Sequence, residues 1–182
     1  MLPEKEITKI SKFLSLILRH QPETINIMPD ENGWVNVDEL IQKSNTAGVK
    51  LDVDILKHVV ATNNKKRFAF NESHDKIRAS QGHSIEVELG YEPQVPPKIL
   101  YHGTTIRNME SILSTGLEKR QRQHVHLSKD TETAIKVAIR HGKPLILEVA
   151  ALQMHHDGFK FFLSENGVWL TDSVPAQYLK QQ

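Results

Sequence analysis

The sequence predicts an α+β protein built as two lobes of about ninety residues each, and three observations carry that reading. Apolar residues first recur at helical spacing and then give way to short alternating runs. A Pro-rich seam, GYEPQVPPK at 90–98, places Pro93, Pro96 and Pro97 within five residues, which forbids regular structure and favours an extended linker. Beyond the seam, short β-rich runs alternate with short helical stretches, the pattern of a mixed domain. The expected boundaries are 1–92 for the first lobe, 93–97 for the linker and 98–182 for the second lobe.

In the first lobe, Ile7, Ile10, Phe13, Leu14 and Ile17 predict an amphipathic helix over 4–19. After a turn at Glu31-Asn32-Gly33, Trp34-Val35 reads as a short strand, and Asp38 opens a short helix containing Leu40 and Ile41. Leu51-Asp52 leads into a third helix with Ile55, Leu56, Val59 and Val60 on its buried side. Arg67-Phe68-Ala69-Phe70 and Lys76-Ile77-Arg78-Ala79, separated by the polar turn NESHD, form a hairpin. Helices followed by a two-stranded wing suggest a winged-helix module, an architecture common in nucleic-acid binding.

In the second lobe, Ile99-Leu100-Tyr101 is a strand running into His102-Gly103-Thr104. A helix from about Arg107 to Leu113 closes at Gly116. Val125-His126-Leu127 is a strand, and Ser128 with Asp130 can cap a helix running to about Arg140. Strands then follow over 145–149, 160–163 and 168–170.

Composition excludes several classes. The 182 residues are 38% hydrophobic and 25% charged, ordinary globular values, and the formal charge of +1 means that any anion-binding surface is local. With no cysteine there is no disulfide scaffold, thiolate metal site or thiol nucleophile. No apolar run approaches the ~20 residues of a membrane span, and MLPEKEITK has no signal-like apolar core. The expected location is the cytoplasm. Ten histidines raise the question of a metal, but HExxH is absent and no third ligand stands at a recognisable spacing, so none is expected.

Phosphate-loop, dinucleotide and GxSxG signatures are also absent. What remains is a set of Arg and His residues at the ends of elements. In LILRHQPE (16–23), Arg19 and His20 follow an apolar run just ahead of Pro22. A cationic last turn opposing the helix dipole explains that pattern, and so does a helix aiming two donors at a ligand. Arg67 opens the RFAF alternation, so the pleat fixes its direction and lets a planar guanidinium grip a phosphate in two-pronged fashion. Gln81-Gly82-His83-Ser84 closes the hairpin with three donor side chains around a glycine. Tyr101-His102-Gly103-Thr104 sets an imidazole beside backbone open to close approach, and His102 and His126 could face one cleft from neighbouring strands. Arg140-His141-Gly142 repeats the Arg-His theme at a helix end, where capping is the simpler account.

Taken together, SKFLSLILRH (11–20), NKKRFAF (64–70), IRASQGHS (77–84), YHGT (101–104), HVHLS (124–128), RHG (140–142) and ENGVWLT (165–171) resemble the RNA 2'-phosphotransferase family in order and spacing. The resemblance implies an N-terminal winged-helix-like lobe for RNA and a C-terminal ADP-ribosyltransferase-like lobe for NAD, used as co-substrate without a metal. It implies a monomer whose partner is an RNA carrying an internal 2'-phosphate, as at a ligated tRNA splice junction. Two steps would follow. The RNA phosphate attacks the anomeric carbon of the nicotinamide riboside, giving a 2'-phospho-ADP-ribosylated RNA and nicotinamide. The adjacent ribose hydroxyl then attacks phosphorus, releasing 2'-hydroxyl RNA and ADP-ribose 1'',2''-cyclic phosphate.

By the same resemblance the catalytic set is Arg19, His20, Arg67 and Arg122, with Arg122 reaching in from the NAD lobe. Arg120 is the other candidate for that last place, although only Arg122 stands four residues before His126. Arg19, His20, Arg67, Gln81, His83 and Ser84 would bind the RNA phosphate. His102, Gly103, Thr104, His126, Leu127, Ser128, Arg140, His141 and Gly142 would bind NAD. Many relatives carry a third-motif Glu where this chain has the apolar stretch around Val168; Glu165 lies nearby, and the register stays open at this level. Two other readings are a winged-helix regulator, which leaves YHGT and HVHLS unused, and an ADP-ribosyltransferase acting on terminal phosphates or on protein.

Overall fold

The computed structural model describes residues 3–182. The chain has the expected α+β organisation and divides into two compact units, Met1–Gly90 and Tyr91–Gln182.

The first unit begins with α1 (Glu4–Arg19), whose first turn carries Glu4 and Glu6 at the positive end of the helix dipole. Ile10, Leu14, Ile17 and Leu18 are its buried face. A 3-10 turn, Pro22–Ile25, follows and ends at Asn26 in left-handed backbone. Next come β1 (Val35–Asn36) and α2 (Val37–Thr46). The residue that opens α2 is Asn36, not Asp38. Its side-chain oxygen already accepts the Glu39 N–H at 3.0 Å, so the helix begins at Val37 and Asp38 falls inside the first turn. In α3 (Val53–Thr62), Asp52 caps by accepting the Ile55 N–H at 2.7 Å. The hairpin is β2 (Phe68–Phe70) with β3 (Lys76–Ala79), and the antiparallel sheet runs β1-β3-β2, pairing Val35 with Ile77 and Phe68 with Ala79. Leu14, Ile17, Leu18, Leu40, Leu56 and Ile77 are wholly buried between helices and sheet.

In the second unit, β4 (Leu100–Thr105) is followed by a 3-10 turn (Ile106–Asn108), α4 (Met109–Thr115), β5 (Leu117–Glu118) and β6 (Val125–Leu127). Then come α5 (Thr131–Ala138), a 3-10 turn (Ile139–His141), β7 (Pro144–Val149), α6 (Ala151–His156), β8 (Phe162–Leu163), β9 (Trp169–Thr171), β10 (Ser173–Val174) and β11 (Leu179–Gln181). The strands form antiparallel sheets β11-β7-β4, β6-β9-β8 and β10-β5. Tyr101 and Ser128 join the first two, exchanging main-chain hydrogen bonds of 2.9 and 2.7 Å.

Three further details depart from the sequence reading. The Pro-rich segment is not free: Pro93 bridges Phe162, and the Gln94 N–H donates to the Phe161 carbonyl at 2.8 Å. Only Phe162–Leu163 forms a strand where 160–163 was expected. The strand does not stop at Tyr101: His102-Gly103-Thr104 form the middle of β4, because β7 pairs with it through to Thr105.

Gly103 belongs to packing. A Cβ there would lie 2.0 Å from the Ala134 carbonyl oxygen, so the glycine lets α5 sit directly on β4. Gly103→Ala should destabilise the protein by about 1–3 kcal/mol through forced displacement of α5. Urea unfolding checks this, and an unchanged midpoint would contradict it.

Candidate functional site

In the first unit the decisive place is the end of α1. The last carbonyls of a helix have no partner within it, and Pro22 prevents continuation. The Arg19 carbonyl is satisfied from outside, by the N–H groups of Ser84 at 2.9 Å and Ile85 at 3.3 Å. The loop that closes the hairpin is thereby fastened to the helix end. Ser84 Oγ lies within hydrogen-bonding distance of His20 Nδ1, at 2.9 Å.

The same loop begins at Ser80, whose N–H donates to the Arg67 carbonyl at 2.8 Å. Arg19 Nη2 reaches that carbonyl too, at 3.5 Å. Arg19, His20, Arg67 and Ser84 therefore meet in one neighbourhood. Arg19 and Arg67 are half-buried, while His20 is exposed. The cationic last turn of the capping explanation is present at this helix end, and the side chains of Arg19 and His20 also converge on the hairpin and the loop that closes it.

His83 lies behind this group, not on its surface. It is 1% exposed, with Nε2 3.5 Å from where a Cβ on Gly33 would sit. Neither ring nitrogen has a hydrogen-bond partner among the described residues. Burial, reinforced by the positive charges of Arg19, His20 and Arg78, pushes its pKa down to about 4. The imidazole is neutral at pH 7. Gln81 is half-buried, and its side-chain oxygen likewise has no partner among the described residues.

Sequence reasoning passed over Arg78, which is 8% exposed. Its guanidinium carbon stands 4.4 Å from the Trp34 ring centroid, and Nη1 donates to the carbonyls of Asn32 and Leu89 at 3.4 and 3.2 Å. Only the pairing of β1 with β3 brings Trp34 beside Arg78, so no local signal identified it.

In the second unit, β4 and β6 supply the polar centre. His102 Nδ1 lies 3.0 Å from the His126 carbonyl, which only accepts, so Nδ1 carries the proton and Nε2 is left as an acceptor. Burial lowers the His102 pKa, against the opposing bond to His126, and the charge of Arg122 lowers it further. Arg122 Nη1 donates to His126 Nδ1 at 3.1 Å, which puts the His126 proton on Nε2. Arg122 is thus the arginine that reaches His126, whereas Arg120 sits in left-handed backbone at φ 52°.

The other expected residues divide. Thr104 is buried and accepts from the Asn108 side chain at 3.2 Å. Leu127 is buried in the core, so its side chain packs and does not face a ligand. Ser128 is held by its bridge to Tyr101. Arg140 and His141 are exposed, and Gly142 lies near Thr105 and Arg107, at the end of β4 beyond His102. Leu127 pairs with Trp169, and continuing that register sets Val168 beside Ser128. Glu165 is instead in the exposed turn before β9, where its N–H lies 3.4 Å from the Tyr91 hydroxyl. Among the described residues no group of three His, Asp or Glu side chains is placed to hold a metal ion.

A sequence profile described as RNA 2'-phosphotransferase, Tpt1 / KptA family, matches residues 5–173. The chain belongs to the RNA 2'-phosphotransferase family. It is 59% identical over 171 residues to a protein named "Probable RNA 2'-phosphotransferase" from Flavobacterium johnsoniae, covering 94% of each chain. A relative of the same name from Fusobacterium nucleatum is 56% identical over 173 residues, covering 94% of this chain and 97% of its own. A third, from Rhodopirellula baltica, is 51% identical over 180 residues and covers 98% of both. Family membership sets aside the regulator reading, since the name of these relatives is that of an enzyme.

The depressed His83 pKa has a thermodynamic consequence. An unfolded histidine titrates near 6.5, so between that pH and about 4 the unfolded chain binds more protons than the folded one. Native stability contributed by neutral His83 is therefore present above pH 6.5 and lost as pH falls through this window, by up to about 3 kcal/mol. Chemical denaturation of His83→Gln from pH 7 to pH 4 should show a shallower loss than wild type. Parallel curves would contradict the assignment.

Proposed function

We propose that this chain removes an internal 2'-phosphate from RNA with NAD as co-substrate. The observation that carries the reading is the meeting of Arg19, His20 and Arg67 around one loop, a concentration of donors suited to a phosphate dianion. The arrangement of three helices and a three-stranded sheet supports a winged-helix-like RNA lobe for the first unit.

For the second unit, the donor set supports NAD. A neutral His102 with a free lone pair on Nε2 suits a ribose hydroxyl, while Arg122 and a His126 carrying its proton on Nε2 suit phosphate oxygens. NAD supplies an activated anomeric carbon with nicotinamide as leaving group. Everything else asked of the protein is orientation and charge.

The attacking oxygen belongs to the RNA phosphate, so the chain needs no Ser or Cys nucleophile. Val168 beside Ser128 agrees with this, because a dianionic acceptor needs no carboxylate to deprotonate it. Arg19 and Arg67 orient the phosphate, and His20 contacts its oxygens or those of the ribose. When the ribose hydroxyl later attacks phosphorus, the RNA 2'-oxygen departs, and the guanidinium groups of Arg19 and Arg67 offset the charge gathering on the equatorial oxygens. The products are 2'-hydroxyl RNA, nicotinamide and ADP-ribose 1'',2''-cyclic phosphate. Transfer to a terminal phosphate remains the competing outcome of the assay, since the Arg set favours phosphate acceptors of either kind.

Incubation with NAD and a 2'-phosphorylated oligonucleotide, without added metal, should give the cyclic phosphate and a dephosphorylated strand. No product, or a stable terminal adduct alone, would overturn the proposal. Arg67→Ala should lower the single-turnover rate by about 10²–10³, as losing a preorganised charged donor does elsewhere. Arg67→Lys should rescue it poorly, because an ammonium lacks the planar fork. Wild-type rates in Arg67→Ala would refute the clamp.

A further inference from the structure

Arg67 is preceded by a residue in an unusual conformation. Lys66 has φ 42°, in the left-handed region that a non-glycine residue enters only at a cost. It is neither Gly, Asn nor Asp, so nothing in its own side chain favours that backbone. Something outside must hold it.

The main chain on both sides of Lys66 is tied down. Its N–H donates to the Asn63 carbonyl at 2.8 Å, and the Lys65 N–H donates to Asn63 Oδ1 at 3.1 Å. Asn63 Nδ2 in turn donates to Ser11 Oγ on α1, at 3.1 Å. The carbonyl of Lys66 accepts from Ser80 Oγ at 2.8 Å, and the next carbonyl, that of Arg67, accepts from the Ser80 N–H, also at 2.8 Å. Ser80 is 1% exposed, so these bonds face little competition from water.

We propose that Ser80 is a positioning residue for the phosphate clamp: its hydroxyl and N–H hold the carbonyls of Lys66 and Arg67, one on each side of the Arg67 Cα and just after the left-handed Lys66, and so fix the direction in which Arg67 leaves the chain. This rests on the reading of Arg67 as a phosphate ligand, and it names the device that aims it. Ser80 is buried and acts through the backbone that carries Arg67. Without the hydroxyl, the Lys66 carbonyl loses its buried partner and Lys66 relaxes towards negative φ, rotating the peptide that carries Arg67.

A double-mutant cycle tests this. Ser80→Ala should lower kcat at saturating 2'-phosphorylated RNA by about tenfold or more, with KM for NAD unchanged. Glycine occupies left-handed backbone without penalty, so Lys66→Gly should stay within about threefold of wild type. In the Lys66→Gly background, Ser80→Ala should then cost no more than about threefold. An equal loss in both backgrounds, or no loss in Ser80→Ala, would overturn the proposal. A crystal structure of Ser80→Ala gives a readout independent of turnover. Lys66 at negative φ supports the proposal, and Lys66 still near φ 42° refutes it. If the wild-type protein yields no product, the functional reading fails, while the crystallographic arm still decides the role of Ser80.

Discussion

The first unit depends on how one carbonyl is satisfied. A helix that stops at Arg19 leaves its final acceptors exposed, and here the Arg19 carbonyl is completed by Ser84 and Ile85. That bond fixes the path of residues 80–85, and the path fixes the rest. Its start holds the Arg67 carbonyl through Ser80, and its end sets Ser84 beside His20. Cations from the end of α1 and the start of β2 are thus gathered by main-chain bonds. Such bonds hold direction without spending positive charge, which is the property a phosphate site requires.

Neutral histidines complete this logic. His83 sits under Arg19, His20 and Arg78, where another cation would be repelled, and burial keeps it uncharged. His102 is held neutral chiefly by burial, and its proton is committed to the His126 carbonyl. His126 takes the complementary tautomer by accepting from Arg122. Two histidines thereby offer opposite hydrogen-bonding faces, one accepting and one donating. Ligand hydroxyls and phosphates ask for that pair of faces.

Much of the fold was legible because the signals were local. The period of Ile10, Leu14 and Ile17 located α1 to within its observed ends, and α3 follows Leu51-Asp52 as expected. Signals that act across the chain were not legible. Asn36 displaced Asp38 as a cap through a bond that only the strand preceding α2 sets up. The packing of α5 on Gly103 was not legible, because strand–helix contact at Ala134 is invisible in one dimension. Two- and three-residue strands such as β5, β10 and β11 are too short to show any period. In the site, motif order named Arg19, His20 and Arg67. Ser80, Lys66 and Arg78 emerged only from backbone angles and cross-strand neighbours.

The central claim is that the clamp of the first unit is built before any anion arrives. NMR relaxation at the Nε positions of Arg19 and Arg67, in protein free of RNA, tests it most directly. The account predicts order parameters of about 0.8, close to rigid backbone. Values below about 0.6 that rise only when a 2'-phosphorylated oligonucleotide is added would contradict it.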